Sequence, residues 1–271
     1  MSYNVTEKIR EHYDIASPLY EQLWGHHIHH GYWITGDESK ELASQQLVDL
    51  LIRKSGLPRG SKVLDIGCGI GGTSIFLARE LDCDVTGITI SPVQVARATE
   101  RAAELRNPPR FLVDDANDIS VEGPFDILWS VEMIAHLNQR DQLFKRASEL
   151  LKPGGKMCIT DWWKDEGLSP EQEKKFILPI EKPMLSDLPT FSEYLGYIQK
   201  YGFRILYYED ISDKVAKTWD LTSELIKPKA VWNFALKHGT AFVDFLNSFK
   251  AMRAGFKSGA FRYPVMVLQK L

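Results

Sequence analysis

Short apolar runs alternate with segments of helical spacing through the middle of the chain. The runs predict buried strands, and the segments between them predict amphipathic helices. The strands are expected at about 62–67, 83–89, 110–114, 125–130 and 156–161. The helices are expected at about 72–81, 92–106 and 138–151. Because strands alternate with helices, we predict an α/β fold with a doubly wound, mostly parallel sheet.

The two ends of the chain have a different pattern. A helix at 38–55 ends at Gly56, and residues 1–60 as a whole predict a helical cap. Residues 162–190 contain two Trp and four Pro, which predicts an irregular lid. The remaining elements are expected to be a helix at 191–201, a strand at 203–211, helices over 213–258 and a strand at 262–270.

These elements predict one domain over residues 1–271. Its core is expected at 61–161, and the lid, the insertion helices and the last two strands at 162–271. The helical insertion separates the last two strands, which we expect to form an antiparallel pair at one end of a seven-stranded sheet.

Composition and charge narrow the function classes. Hydrophobic residues make up 44% of the chain, charged residues 25%, and the net charge is −3, which argues against nucleic-acid binding. Cys68, Cys83 and Cys158 are too scattered for a disulfide framework or a metal site, which favours a reducing compartment. No targeting segment or membrane-spanning run is visible. We expect a cytoplasmic protein, as a monomer or homodimer.

Residues 63–72 read Val-Leu-Asp-Ile-Gly-Cys-Gly-Ile-Gly-Gly, an apolar run with a buried acid that ends in glycines. Their spacing also fits a dinucleotide-binding turn, but NAD would need an acid at the end of the second strand. That strand ends in Thr89, Ile90 and Ser91 instead. Asp65 suits a ligand with cationic groups and no phosphate, and S-adenosylmethionine has this chemistry.

The chain resembles class I S-adenosylmethionine-dependent methyltransferases. Within them it is most similar to the small-molecule subgroup of tocopherol C-methyltransferase-like and sugar O-methyltransferase-like enzymes. The resemblance runs from about residue 8 to residue 211. It is carried by the segments 63–72, 87–94, 125–132 with the following His136, 151–155, Tyr13-Asp14 and 29–33.

The resemblance implies a cofactor site and S-adenosylhomocysteine as the product. The methionine part of the cofactor is expected against the glycine turn, the adenosine along the end of the second strand, and the adenine amine at Asp115. The residues expected to bind the cofactor are Asp65, Gly67, Gly69, Thr89, Ile90, Gln94, Asp115, Ala116, Ser130 and Tyr13.

The resemblance also implies an acid–base pair and a substrate wall. His136 is the first candidate for the general base, and Asp161 is the second. Glu132 is expected in a structural or cofactor-side role. The residues expected around the acceptor are His30, Tyr32, Trp33, Tyr20 and Trp162.

The histidines at 26, 27, 29 and 30 lack the spacing of zinc ligands, so we expect no metal. Trp162, Trp163, Phe176 and Tyr194 suggest an apolar acceptor. The predicted function is methyl transfer to an oxygen, nitrogen or carbon of a small, largely apolar metabolite, as in secondary metabolism. The alternative is a protein that binds S-adenosylmethionine but catalyses a non-methylating reaction such as cyclisation.

Overall fold

A computed structural model describes residues 5–271, without the side chains of residues 22–24. The strands, in chain order, are β1 (Lys62–Ile66), β2 (Asp84–Thr89), β3 (Arg110–Val113), β4 (Phe125–Val131), β5 (Leu151–Thr160), β6 (Trp163–Lys164), β7 (Phe203–Asp210), β8 (Phe261–Arg262) and β9 (Pro264–Lys270). They form a seven-stranded sheet in the order β3-β2-β1-β4-β5-β9-β7 and a separate pair, β6-β8.

The sheet is parallel from β1 to β5 and antiparallel at one end. Val63 of β1 pairs with Val85 of β2 and with Ile127 of β4, both in parallel register. Strand β9 lies between β5 and β7 and runs antiparallel to both. The predicted α/β fold with a mostly parallel seven-stranded sheet is therefore confirmed, including the antiparallel pairing of the last two long strands.

The helices cover both faces and the carboxyl edge of the sheet. Ser91 caps α4 by accepting a hydrogen bond from the amide of Gln94, and the left-handed Gly56 (φ 58°) ends α2. The helices are α1 (Val5–Trp24), α2 (Lys40–Ser55), α3 (Gly72–Leu81), α4 (Pro92–Ala102), α5 (Arg140–Leu150), α6 (Pro170–Gln172), α7 (Leu178–Met184), α8 (Phe191–Lys200), α9 (Ser212–Val215), α10 (Lys217–Leu225), α11 (Lys229–His238) and α12 (Thr240–Ser258).

The segment after β5 is more regular than predicted. The expectation of an irregular lid over 162–190 was wrong, because Ser169 starts α6 with a capping box and a π-helical turn at Glu173–Ile177 joins α6 to α7. Strand β6 in the same segment pairs antiparallel with β8. The lid is therefore anchored to the chain just before β9.

Alternate side chains of the strands enter two cores. Val63 and Ile127 belong to the core on the face that packs against α2 and the insertion helices, whereas Leu64 and Leu128 belong to the core on the opposite face with α5 and α8. Burial of both faces explains the continuous apolar runs in the sequence. Within residues 5–271, no helix is both long enough and apolar enough to cross a bilayer.

Candidate active site

The carboxyl ends of β1, β2 and β4 open into a cavity with about 800 Å³ of empty space, which we call the glycine-turn cavity. Gly67 and Gly69 form its floor, with φ angles of 80° and 53°. A Cβ at Gly67 would lie 2.3 Å from Met133 Cγ, whereas a Cβ at Gly69 would point into open space. Glycine is thus required at both positions by the backbone, and at Gly67 also by packing.

The far end of this cavity presents polar side chains from β2, α4 and the loop after β3. Thr89 Oγ1 donates a hydrogen bond to Gln94 Oε1 at 2.7 Å. Asp115 Oδ1 accepts from the backbone and side-chain nitrogens of Asn117, at 2.9 and 3.0 Å. Thr89, Ile90, Gln94, Asp115 and Ala116 all line the cavity, as the sequence predicted.

A smaller side cavity adjoins the glycine turn and contains Asp65. Its floor is again Gly67 and Gly69, so the two spaces meet at the turn. Asp65 is 3% exposed, and Ser74 Oγ donates to its Oδ2 at 2.5 Å. Burial raises the pKa of Asp65 to about 6, against the opposing effect of the Ser74 hydrogen bond.

A third space, with about 600 Å³ of empty volume, lies between the sheet edge and the insertion helices. We call it the aromatic cavity. Tyr20, His30 and Trp162, predicted to contact the acceptor, line it. It is also lined by side chains that the sequence did not single out as site residues, among them His12, Met184, Thr218, Trp219, Phe245 and Phe249.

Tyr13 and His136 line both the glycine-turn cavity and the aromatic cavity. Tyr13 Oη lies 3.1 Å from His136 Nε2, and His136 Nδ1 lies 3.1 Å from the carbonyl oxygen of Leu185. Because a carbonyl only accepts, Nδ1 carries the proton and Nε2 holds the lone pair. Burial lowers the pKa of His136, which favours this neutral ring at pH 7.

Glu132 is the centre of a buried hydrogen-bond network beside this pair. It has a φ angle of 52°, and its Oε1 accepts from the amide (2.6 Å) and Nδ1 (2.9 Å) of His30 and from Tyr263 Oη (2.6 Å). Trp219 Nε1 donates to His30 Nε2 at 2.7 Å, so His30 is a neutral donor to the carboxylate. Burial alone would raise the pKa of Glu132, but the hydrogen bonds that it accepts from His30 and Tyr263 lower it.

Asp161 does not line any of these three cavities. It is fully buried, and its two oxygens accept from the amides of Ala135 (3.0 Å) and Trp162 (2.7 Å). Burial raises the pKa of Asp161 to about 7, against the effect of these donors. Asp161 therefore holds the short turn that carries His136, and its position behind the cavity walls argues against its predicted role as the second candidate for the general base.

Other predicted residues also lie behind the cavity walls. Ser130 is fully buried and lines none of the three cavities. Tyr32 and Trp33 are outside them because the loop packs tightly on α2, where the Tyr32 amide donates to the Ala43 carbonyl at 2.8 Å. Trp33 Nε1 points instead to Thr218 Oγ1, at 3.4 Å.

Some aromatic residues of the predicted lid also lie away from the aromatic cavity. Trp163 and Tyr194 stack with ring centroids 4.4 Å apart in the core on the opposite face of the sheet, and neither they nor Phe176 line the aromatic cavity. Phe249 lies on α12 in the predicted helical insertion, and the sequence did not distinguish it as a cavity residue. Among the described residues, no group of three or more His, Cys, Asp or Glu side chains has a metal-binding arrangement.

The profile of the mycolic acid cyclopropane synthetase family matches residues 2–260. The chain belongs to this family. It is 30% identical over 230 residues to 27-O-demethylrifamycin SV methyltransferase of Amycolatopsis mediterranei (strain S699), covering 83% of this chain and 84% of the relative. It is 38% identical over 218 residues to 2-methyl-6-phytyl-1,4-hydroquinone methyltransferase of Synechocystis sp. (strain ATCC 27184 / PCC 6803 / Kazusa), covering 73% and 64%.

Solved structures agree with this assignment. The [4+2]-cyclase SpnF superposes with a TM-score of 0.85 and 26% identity, covering 98% of this chain and 96% of SpnF. The cyclopropane synthase MmaA2 of Mycobacterium tuberculosis has the same fold, with a TM-score of 0.86, 21% identity and 98% coverage of both chains. The predicted fold and enzyme class, an S-adenosylmethionine-dependent methyltransferase, are confirmed.

The cavities of this chain fit S-adenosylmethionine. Among the described residues, no Lys or Arg lines the glycine-turn cavity or the side cavity, which suits a ligand without phosphate. The buried acid Asp65 suits its cationic end, and the open space above Gly69 leaves room for it. The predicted cofactor is therefore compatible with both the chemistry and the shape of the site.

Proposed function

We propose that this enzyme transfers the methyl group of S-adenosylmethionine to a small, largely apolar metabolite held in the aromatic cavity. The observation that carries the proposal is the meeting of two cavities at one hydrogen-bonded pair, Tyr13 and His136. One cavity fits the cofactor and the other has mostly apolar and aromatic walls. When bound, S-adenosylmethionine supplies a methyl group on a sulfonium leaving group, and S-adenosylhomocysteine is the product.

The chain's own residues then act mainly by binding and orientation. Asp65, Gly67 and Gly69 would hold the methionyl end, and Gln94 and Asp115 the adenosine. Tyr13, on α1, closes the space between donor and acceptor. Holding the two reactants in line and excluding water is worth about 7–11 kcal/mol in well-oriented reactions.

His136 is the proposed base. Its Nε2 lone pair faces the junction of the cavities, where it can take a proton from an acceptor hydroxyl or amine in place of the Tyr13 hydrogen bond. Nδ1 keeps its proton and donates it in the hydrogen bond to the Leu185 carbonyl oxygen, which also stabilises the protonated ring. A base of this kind favours oxygen or nitrogen over carbon as the methylated atom. Asp161 serves as a positioning residue for His136, through the Ala135 amide.

The acceptor is proposed to be an organic molecule with a large apolar part. Trp162, Phe245 and Phe249 give the cavity an apolar wall, and Thr218 adds a hydroxyl. The two curated relatives are named for a rifamycin and for a phytyl hydroquinone, and both names are compatible with such a cavity. We also propose a role in secondary metabolism, in the cytoplasm, as a monomer or homodimer and without nucleic acid.

The first test uses 2-methyl-6-phytyl-1,4-hydroquinone as a probe acceptor and follows the release of S-adenosylhomocysteine. In His136→Gln we expect kcat to fall about 10²- to 10⁴-fold, because the proton acceptor is lost. The affinity for S-adenosylhomocysteine, measured by calorimetry, should not change. An unchanged rate in this variant would remove His136 from the mechanism.

A second candidate function is a cyclisation without methyl transfer. The likeness to the [4+2]-cyclase SpnF, at 26% identity over nearly the whole chain, favours it. The same assay separates the two functions, because a methyltransferase releases one S-adenosylhomocysteine for each acceptor consumed. Consumption of an acceptor with no such release would support the cyclase.

A further inference from the structure

Arg140 is a buried cation at the start of α5, four positions after His136. Its side chain is 6% exposed, and it lines none of the three cavities. The mechanism above gives this charge no role. A buried charge is costly unless hydrogen bonds compensate for the lost water, so the contacts of the guanidinium show what it holds in place.

The guanidinium of Arg140 joins two separate segments. Its Nε donates to the Ile134 carbonyl at 3.2 Å and its Nη2 to the Ala135 carbonyl at 3.5 Å, both in the turn that carries His136. Its Nη1 donates to Asp187 Oδ2 at 2.8 Å, and Nη2 also donates to the Asp187 carbonyl. The amide of Asp187 donates in turn to the Ala135 carbonyl at 2.8 Å. Arg140 therefore holds residues 185–188, which follow α7, against the turn.

The same segment determines which nitrogen of His136 carries the proton. Leu185 comes two positions before Asp187, and its carbonyl accepts the hydrogen bond from His136 Nδ1. A neutral imidazole has two tautomers, and the partner of one nitrogen decides which tautomer is present. Only the tautomer with a lone pair on Nε2 can take a proton at the junction of the cavities. The base is therefore in its active form only while segment 185–188 stays on the turn.

We propose that Arg140 is a positioning residue for the base, because it holds the Leu185 carbonyl against His136 Nδ1. The proposal rests on the role of His136 in the proposed function. Arg140 reaches three carbonyls and one carboxylate, which requires the planar fork of a guanidinium. Asp161 holds the same turn from the other side, through the Ala135 amide.

The main variant is Arg140→Lys, which keeps the positive charge and removes the fork. With 2-methyl-6-phytyl-1,4-hydroquinone as the probe acceptor, we expect kcat to fall about 10- to 100-fold, since only a fraction of the rings would keep the active tautomer. The affinity for S-adenosylhomocysteine, measured by calorimetry, should not change, because Arg140 does not line the glycine-turn cavity.

Arg146→Lys is the matched control. This arginine also lies on α5 and also donates to two backbone carbonyls and a carboxylate, those of Ile119, Val121 and Glu122. It lines none of the three cavities. We expect Arg146→Lys to keep the wild-type kcat. An equal fall of kcat in the two variants would overturn the proposal, because it would show a general effect of losing an arginine from α5.

A second measurement needs no acceptor. Nitrogen NMR of protein labelled in its histidines distinguishes protonated from unprotonated ring nitrogens, and the His136 signals are those missing from His136→Gln. Wild type and Arg146→Lys should show a proton on Nδ1 alone, whereas Arg140→Lys should show both tautomers. A loss of stability by itself leaves the tautomer unchanged. A wild-type pattern in Arg140→Lys would therefore contradict the proposal, whatever its kcat.

Asp187→Asn replaces the main variant if Arg140→Lys does not fold, since the Asp187 side chain is 71% exposed. We expect a mixture of tautomers and a smaller fall of kcat, about 2- to 5-fold, because the backbone contacts of Arg140 remain. A wild-type pattern and rate in Asp187→Asn would then decide against the proposal. A mixture of tautomers with an unchanged kcat would also overturn it. If His136→Gln keeps the wild-type rate as well, the failure belongs to the proposed function.

Discussion

At the scale of single residues, Asp65 is a buried acid whose position suits the binding of a cation. Its carboxylate has Ser74 as a hydrogen-bond donor, and burial raises the pKa from 3.8 to about 6. Between these two pH values the folded protein holds a proton that the unfolded chain has lost. At this group, the free energy of unfolding therefore decreases as the pH rises from about 4 to 6.

A bound cation reverses this preference, because it favours the carboxylate. We predict that the affinity for S-adenosylhomocysteine increases from pH 5 to pH 7 and is constant above. Calorimetric titrations at a series of pH values across this range measure the affinity. Asp65→Asn should bind more weakly and show little of this pH dependence; an unaltered pH profile in the variant would show that another group is responsible.

Two buried acids also shape the site through the residues that they hold. Glu132 adopts a left-handed backbone, and its carboxylate joins His30 to Tyr263. Asp161 orients the turn that carries His136. Both acids are paired by buried donors, so they act through the geometry of their neighbours.

At the scale of elements, α1 is the part that joins the two cavities. It carries Tyr13 at their junction, and it is tied to α4 by the hydrogen bond from Ser91 to Asp14 and by the ion pair of Arg97 with Glu21. Ser91 is also the N-cap of α4, the helix that carries Gln94. Helix α1 and the adenosine end of the glycine-turn cavity are therefore connected through α4.

Removing one of these two contacts should weaken the attachment of α1 to α4. We predict that Asp14→Ala weakens the binding of S-adenosylhomocysteine about 3- to 10-fold, as expected for the loss of roughly one hydrogen bond. The dissociation rate should rise more than the association rate falls, which stopped-flow mixing can measure. Asp37→Ala, an exposed position in the loop before α2, is the control. Unchanged dissociation in Asp14→Ala would show that α1 does not retain the ligand.

At the scale of the whole molecule, the sheet connects the predicted cap, core and insertion. Side chains of the cap, the sheet and the insertion helices share one core cluster, which includes Leu47, Val63 and Phe249. The cofactor residues come mainly from the first half of the chain, whereas the aromatic cavity combines side chains of α1 and the loop after it with side chains of α10 and α12. One domain over residues 1–271 stays our prediction.

A single domain should unfold in one transition. We predict one calorimetric peak, which moves to higher temperature with S-adenosylhomocysteine. At 100 times the dissociation constant, the ligand adds about 2.7 kcal/mol to the free energy of unfolding. Asp65→Asn should reduce the shift at the same ligand concentration. Two peaks, of which the ligand moves only one, would show that the insertion or the cap is a separate unit.

The sequence by itself determined the sheet and the cofactor end of the site. The period of the apolar residues predicted the strands, and Gly56 marked the end of a helix. The glycine turn and Asp65 pointed to the cofactor, because a turn that needs glycine and a buried acid are local properties of a short segment.

Only the tertiary structure decided which aromatic and acidic side chains reach the cavities. Trp162 lines the aromatic cavity and Trp163 does not, although the two are neighbours, because consecutive residues after a strand point to opposite sides. Tyr13 meets His136 across 123 positions, and Trp219 meets His30 across 189. Contacts at such separations depend on how the helices pack on the sheet, which no local pattern of residues encodes.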